Sequence, residues 1–575
     1  MIAHLAGYGD PGYVKFIEDA RPEIVQVGWY GAHFYSLAWT PFGKGYPAQF
    51  PVQGLRECGD WFENLNKDLH KRNVKVIGHF NVEFLVGDPD SKDGPRGFFK
   101  FYRDLWDEKE LGPRPVQDPM EMLERGADGK PIIDNNYSIG GMKEYWGCLN
   151  NPHWRTVLKA WVKVAVKRGV DGLVANYFYR HNCHCPHCVK GFKDHMRGRY
   201  TPEQLRDKFA IADLDKHKFS EIVCWHDPKE STPLRREMLR FSQIGTKAAF
   251  DDVFIKYGRS LKPDLIVGQW NHLGDFSQIN GDERCLLPAD LWGKDEDYLW
   301  YSTGAAAYYT DLEKKFLGEG TLQARYIRGA FDNKPFTLGK YESTRTRVAI
   351  AEMVANGGAA MGLYANFTEP TARKEFIRYF DFLRENDAVF HDNHSHAEVA
   401  LLYPRSRVHE GDVAAVDDFK KLGRKLLDDH VLFDVVPDDI ATVDRLKPYA
   451  QVLKSSDGDK ALALKDLSRF EAPYYVRVSA SRPASGKEVT LHFVNYNRKE
   501  PKDKGGRGTI DENPIAVDGV KVDLLLPPEA RPVRVEVLTP EDPMPVVVKT
   551  ESQAGRLRFT MPRFLVYAIA RVRLQ

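Results

Sequence analysis

The chain has 575 residues, 42% of them apolar and 28% charged, with 82 Lys and Arg against 81 Asp and Glu. That length implies two or three domains. The formal net charge of +1 excludes nucleic acid or an anionic membrane surface as the main partner, because both are met by a clustered basic excess. No apolar run reaches the roughly 18 residues that span a bilayer, so no membrane insertion is expected. Residues 1–13 carry no basic stretch followed by an apolar one, so the expected compartment is cytoplasmic, or periplasmic or secreted where a leader has been removed.

Along the chain, apolar β-rich runs alternate with helical patterns. They start at Glu23 (EIVQVGWYGAHFY), at Val74 (VKVIGHFNVEF), in the less regular stretch 137–148, and at Asp171 (DGLVANYFY). They continue from Asp264 (DLIVGQWNHL), Asp297 (DYLWYSTG), Lys334 (KPFTLGKYE) and Ala359 (AAMGLYANF). Between the third and fourth, Asn151 can cap a helix with Pro152 in its first turn. Val157, Leu158, Trp161, Val164 and Ala165 form its apolar face. A second helix is expected over 346–356, ended by Gly357-Gly358. Eight such units over about 390 residues predict an N-terminal (β/α)8 TIM barrel with long loops. A doubly wound open sheet is the competing arrangement, but no glycine-rich phosphate loop follows the first run.

After Phe390 the pattern changes. A short strand from Ala397, a helix near 417–429 and a strand from Leu432 predict a small α/β domain over 391–465. From Tyr474 onward apolar and polar residues alternate at period two, with turns rich in Pro, Gly and Asp. That predicts a C-terminal antiparallel β-sandwich over 466–575, leaving 1–390 for the barrel.

TIM barrels carry their chemistry at the C-terminal ends of the strands. Here those ends hold Trp29, His33, His79, Asn81, Asn176, Tyr177, Arg180, Trp270, Asn271, His272, Tyr341 and Tyr364, with Glu83 and Glu342 among them. Aromatic faces mixed with directed donors and acceptors suit a polyhydroxyl ligand, so a carbohydrate is the expected substrate. The structural alternative is that most of these aromatics fill a large core.

Cys183, Cys185 and Cys188 form C-x-C-x2-C directly after the fourth run. Three thiols so close suit a metal better than a disulfide framework, and zinc takes four tetrahedral S or N ligands. The fourth ligand is Cys148, His184 or His187. An all-thiolate site has no open position for water, so the zinc is expected to be structural.

This motif, with an upstream Cys after the third run, resembles the zinc cluster of glycoside hydrolase family 42 β-galactosidases. The order barrel, α/β domain, β domain is similar as well. GCLNNPHWR (from Gly147) and CHCPHCVKGF (from Cys183) further resemble glycosidase-like barrels related to that family and to α-L-fucosidases. The resemblance implies Cys148 as the fourth zinc ligand, a catalytic Glu ending the seventh strand, matched by Glu342, and an acid/base Glu after Asn at the end of the fourth. This chain departs from the last of these: the residue after Asn176 is Tyr177.

Glycoside hydrolysis ordinarily needs two carboxylates across the scissile bond. Glu342 is the first candidate, and Asp275 and Glu83 are the best placed for the second. The expected function is therefore an exo-acting glycoside hydrolase on an oligo- or polysaccharide. The alternatives are a carbohydrate-binding barrel without catalysis, motivated by the missing acid/base Glu, and a sugar-active lyase or transglycosidase. A homo-oligomer is possible on the family pattern.

Overall fold

The computed structural model describes the chain except residues 4–7, 32–55, 135–140, 177–180, 225–229, 273–275, 277–290, 292, 303–309, 318, 340–344, 361, 364–366, 411, 413, 459–465 and 500–512. Eight parallel strands form one sheet in chain order: Ile2–Ala3, Ile24–Gly31, Lys75–Asn81, Gly172–Asn176, Ile266–His272, Tyr298–Ser302, Phe336–Gly339 and Gly362–Leu363. The last pairs with the first, Ile2 opposite Gly362. A bridge from Thr337 to Ala359 links the seventh strand to the eighth. The sheet thus curls round on itself as a TIM-like barrel with helices outside.

Two of the expected strands need correction. The stretch 137–148 contributes no strand to the parallel sheet: Lys143–Trp146 runs antiparallel to Phe84–Asp88 in a separate four-stranded sheet. The first barrel strand is instead Ile2–Ala3, two residues that show no period of their own. The runs from Glu23 and Val74 therefore become strands two and three, while the later runs keep their places.

The parity of each strand sorts its residues. Ile77, Val174, Trp270, Tyr298 and Trp300 form one buried interior cluster. Phe80, Leu173, Ala175, Val267, Leu299 and Tyr301 pack outward with the helices. Gly268 is required on the inner face, since a Cβ there would come within 2.6 Å of the Tyr298 ring. The helix Pro152–Lys167 forms as its sequence predicts: the Asn151 side chain accepts from the His153 N–H, and all five apolar-face residues are buried. Its Trp154 and Trp161 are fully buried, each contributing about 2–3 kcal/mol of burial free energy.

The small α/β unit has three parallel strands, Phe433–Pro437, Val399–Tyr403 and Gln451–Lys454, of which the third is not visible in the sequence pattern. Its Leu401, Phe419, Leu422 and Val435 join the core cluster of the barrel. Beyond it a six-stranded and a four-stranded antiparallel sheet share a core that includes Val478, Leu491, Phe493, Leu524, Leu557 and Ala570. Asn393–Ser395 pairs with Val476–Pro483 in the larger of these sheets. No helix among the described residues is long and apolar enough to cross a membrane.

Candidate active site and candidate metal centre

Four neighbouring strands bring an aromatic and polar floor together at the C-terminal mouth of the barrel. His79 lies opposite Val174 in register, and Asn176 opposite Asn81. The His79 ring stacks on Trp270, with centroids 4.8 Å apart and planes at 21°. Its Nε2 is 3.0 Å from Nδ2 of Asn176. The amide can only donate, so Nε2 is the acceptor and the proton of the neutral imidazole sits on Nδ1. Trp270 packs against Trp300, its register partner on the sixth strand. All four side chains are buried to 96% or more, so the floor is held rigid by packing rather than set by a loop.

The remaining predicted residues divide. Asn81 spends its amide locally: Nδ2 donates to Phe84 O at 2.9 Å, and Oδ1 accepts from Phe84 N–H at 3.1 Å. This turn launches the inserted sheet from the end of strand three. Glu83 lies within that turn and is fully buried. Asn271 alternates to the helix-facing side of strand five, and its Nδ2 donates to Gln269 O. Trp29 pairs with His79 along the backbone, and His272 with Ser302, but the side chains of Trp29 and His272 lie outside the described residues. So do His33, Tyr177, Arg180, Asp275, Tyr341, Glu342 and Tyr364 altogether.

The inserted antiparallel sheet packs Phe84, Val86, Met142 and Trp146 against the barrel interior cluster, so it covers part of the mouth. Trp146 in turn packs on His181, with centroids 4.5 Å apart. Both the backbone N–H of His181 and its Nδ1 lie about 3 Å from Oε2 of the fully buried Glu124. Neither Trp300 nor this Glu–His pair was singled out from the sequence. Trp300 is recoverable, because its strand alternates and it sits two residues before the strand end. Glu124 has no such signal, since it lies in irregular chain 57 residues from its partner His181.

Cys183, Cys185 and Cys188 meet as their spacing predicts, and the fourth member of the cluster is Cys148 rather than His184 or His187. Cys148, Cys183, Cys185 and Cys188 are all buried, with their sulfurs within 4.8 Å of one another. Cys148 Sγ is 3.5 Å from both Cys185 Sγ and Cys188 Sγ. A tetrahedral thiolate site with metal–sulfur bonds of about 2.3 Å has sulfur–sulfur edges of about 3.8 Å, so the donor set fits a metal ion. It does not fit a disulfide, whose sulfurs lie about 2 Å apart. Backbone N–H groups of Arg125 and Cys185 point at Cys183 Sγ, that of Cys188 at Cys185 Sγ, and Nδ2 of Asn150 at Cys188 Sγ. Such donors stabilise thiolate charge. Hydrogen bonding from Cys148, Cys183 and Cys188 pulls the Cys185 thiol far down, whereas contact with Cys183 and burial push Cys148 up. Four packed thiols cannot all ionise without a cation.

Local chemistry places the ligands. Cys185 caps the helix Pro186–Arg199, with Pro186 in its first turn. Gly147 lets Cys148 approach, since a Cβ at Gly147 would be driven into the Trp154 ring. A separate groove of about 840 Å³, lined by Arg259, Lys294, Glu296 and Lys334 among others, precedes strands five to seven. It therefore lies at the barrel end remote from the mouth.

No protein-family model and no curated protein matches this sequence. Among solved structures, the chain is similar in fold to an α-L-fucosidase, isoenzyme 2 from Paenibacillus thiaminolyticus. The TM-score is 0.60 at 13% identity, over 100% of this chain and 99% of that one. It is similar likewise to a β-galactosidase from Rahnella sp. R3, with a TM-score of 0.55 at 13% identity over 98% of each chain. At that identity the likeness is one of fold, and it extends end to end, through the barrel and the domains that follow it.

Proposed function

We propose that the chain is a glycoside hydrolase acting from the barrel mouth on an oligo- or polysaccharide, as an exo-enzyme. The observation that carries this reading is the rigid floor of Trp270, His79 and Asn176 at the C-terminal strand ends, in a fold matched along its whole length by two glycosidases. The Trp270 ring lies against His79 and Trp300, so this buried floor supports the sugar site from below and does not itself stack on the sugar ring. His79 and Asn176 offer hydrogen bonds at its edge. Glu342 supplies one catalytic carboxylate, and Asp275 or Glu83 the other. The four-cysteine corner holds a structural zinc, which ties Cys148 to the loop after strand four. Its four thiolates leave no position for a reacting water, and the chemistry belongs to the carboxylates.

Turnover on a panel of aryl glycosides and natural oligosaccharides, wild type beside Glu342→Gln, tests this. Turnover by the wild type that the variant loses supports the assignment. Turnover undiminished in the variant removes Glu342 from the mechanism.

One observation favours a second reading. The inward position at the end of strand four is the amide Asn176, bonded to His79, and not a carboxylate. A barrel that binds sugar without cleaving it would show saturable binding and no turnover on any member of the panel.

A further inference from the structure

At the wall of the barrel mouth a buried carboxylate holds one imidazole. His181 lies five residues past Asn176, where strand four ends. Its backbone N–H donates to Glu124 Oε2 at 3.1 Å, and its Nδ1 lies 3.0 Å from the same oxygen. Glu124 is fully buried, and its own N–H donates to Trp146 O at 2.8 Å. The Trp146 ring packs on the imidazole and belongs to the cluster that holds Trp270 and Trp300. Gly147, the next residue, donates to Glu83 O just beyond strand three. These contacts set His181 at the level of the strand ends, beside the floor.

The backbone around this pair is tied to the cysteine corner. The Arg125 N–H points at Cys183 Sγ, and Arg125 O accepts from the His184 N–H at 2.7 Å. Segments 124–125 and 181–184 are thus laced together, and the ring between them has one orientation. Burying a carboxylate is costly unless it is well paired, and Oε1 of Glu124 has no hydrogen-bond partner among the described residues. The group is therefore spent on orienting this one ring. A carboxylate only accepts, so Nδ1 carries the proton that Glu124 receives, and Nε2 is the nitrogen left for another partner. Nε2 has none among the described residues, while 26% of the side chain is exposed.

We propose that His181, oriented by Glu124, hydrogen-bonds through Nε2 to a hydroxyl of the sugar held above the floor, and so helps set which sugar the mouth accepts. This rests on the carbohydrate reading of the mouth and adds to it a residue that the sequence did not single out. A hydroxyl both donates and accepts, so it can meet Nε2 with or without a proton. Glu124 does not touch the ligand. It is a positioning residue, fixing the direction in which Nε2 points.

Calorimetry on the full chain tests it, with the aryl glycosides and natural oligosaccharides of the turnover panel as ligands. His181→Asn keeps an N–H donor near the Nδ1 position, for Glu124, and removes Nε2. It should bind the best-bound member of the panel about tenfold more weakly than the wild type, with metal content and melting temperature unchanged. Equal affinity in the two proteins overturns the proposal and leaves the carbohydrate reading standing. A loss of affinity accompanied by loss of the metal also overturns it, because the corner and not the imidazole then carries the effect. A wild type that binds no member of the panel overturns both. Should His181→Asn not fold, a crystal of the wild type soaked with that member decides alone. Nε2 should lie within about 3.2 Å of a sugar hydroxyl, and a bound sugar with no hydroxyl in that range overturns the proposal.

Discussion

The cysteine corner and the barrel mouth both grow from the end of the fourth strand, and they are built in opposite ways. The corner takes its four sulfurs from two short segments, 148 and 183–188. A helix cap, a close-packed glycine and N–H···S bonds fix its geometry locally. The mouth takes His79, Asn176, Trp270 and Trp300 from four strands spread over more than 200 residues, and only the parity and register of the sheet bring them together. The corner is written in two short segments of sequence, whereas the floor of the mouth draws on four strands of the sheet.

Substitutions separate the two regions. The largest effect is expected in the mouth: Glu342→Gln lowers turnover about 10²–10⁴-fold with an unchanged melting temperature. In the corner the pattern reverses. Cys185→Ser loses the metal, read by atomic emission, and costs about 3 kcal/mol or more of stability while turnover per folded molecule persists. Activity lost at unchanged stability would break the comparison and put the corner in the chemistry.

The helix that the corner starts gives the next effect. Although burial raises Glu237, hydrogen bonds from His195 and Tyr200 and the charge of Arg199 hold its carboxyl down at about 2. A depressed carboxylate stabilises the fold above its unfolded value and stops doing so as pH falls from about 4.5 through 2, here on the order of 2 kcal/mol. Urea midpoints at pH 6 and pH 3 measure this, and Glu237→Gln should flatten the difference. The smallest effect returns to the mouth. Asn176→Ala removes the hydrogen bond to His79, costing about 1 kcal/mol, and weakens ligand binding about fivefold by calorimetry. An unchanged affinity would take the His79–Asn176 pair out of the binding surface.

Much of the fold is legible in the sequence, and the exceptions have physical reasons. The helix at Pro152–Lys167 announces itself by cap, proline and apolar stripe. The sandwich strands announce themselves by period two. Ile2–Ala3 does not, because two residues make no period, and their strand character comes from the neighbours on either side, Val25–Gln26 and Gly362–Leu363. The stretch 137–148 carries strand-like residues but pairs within the insertion, and pairing is a long-range choice that local composition does not encode. In the site, Asn81 reads as a binding residue at a strand end, yet its amide is committed to the Phe84 backbone three residues on. Asn271 reads the same way and turns to the helix side.

By itself, then, the sequence determined what short-range chemistry can determine: the βα rhythm, the change to alternating β structure after Tyr474, and three of the four cysteines of a corner that could hold a metal ion. The tertiary structure alone decided which strand closes the parallel sheet, which strand-end residues face inward, and that His79, Asn176, Trp270 and Trp300 share one floor. It also decided that the buried Glu124 meets His181. The reason is common to all four: each depends on register and packing between segments far apart in the chain, and such contacts form only when the whole core is assembled.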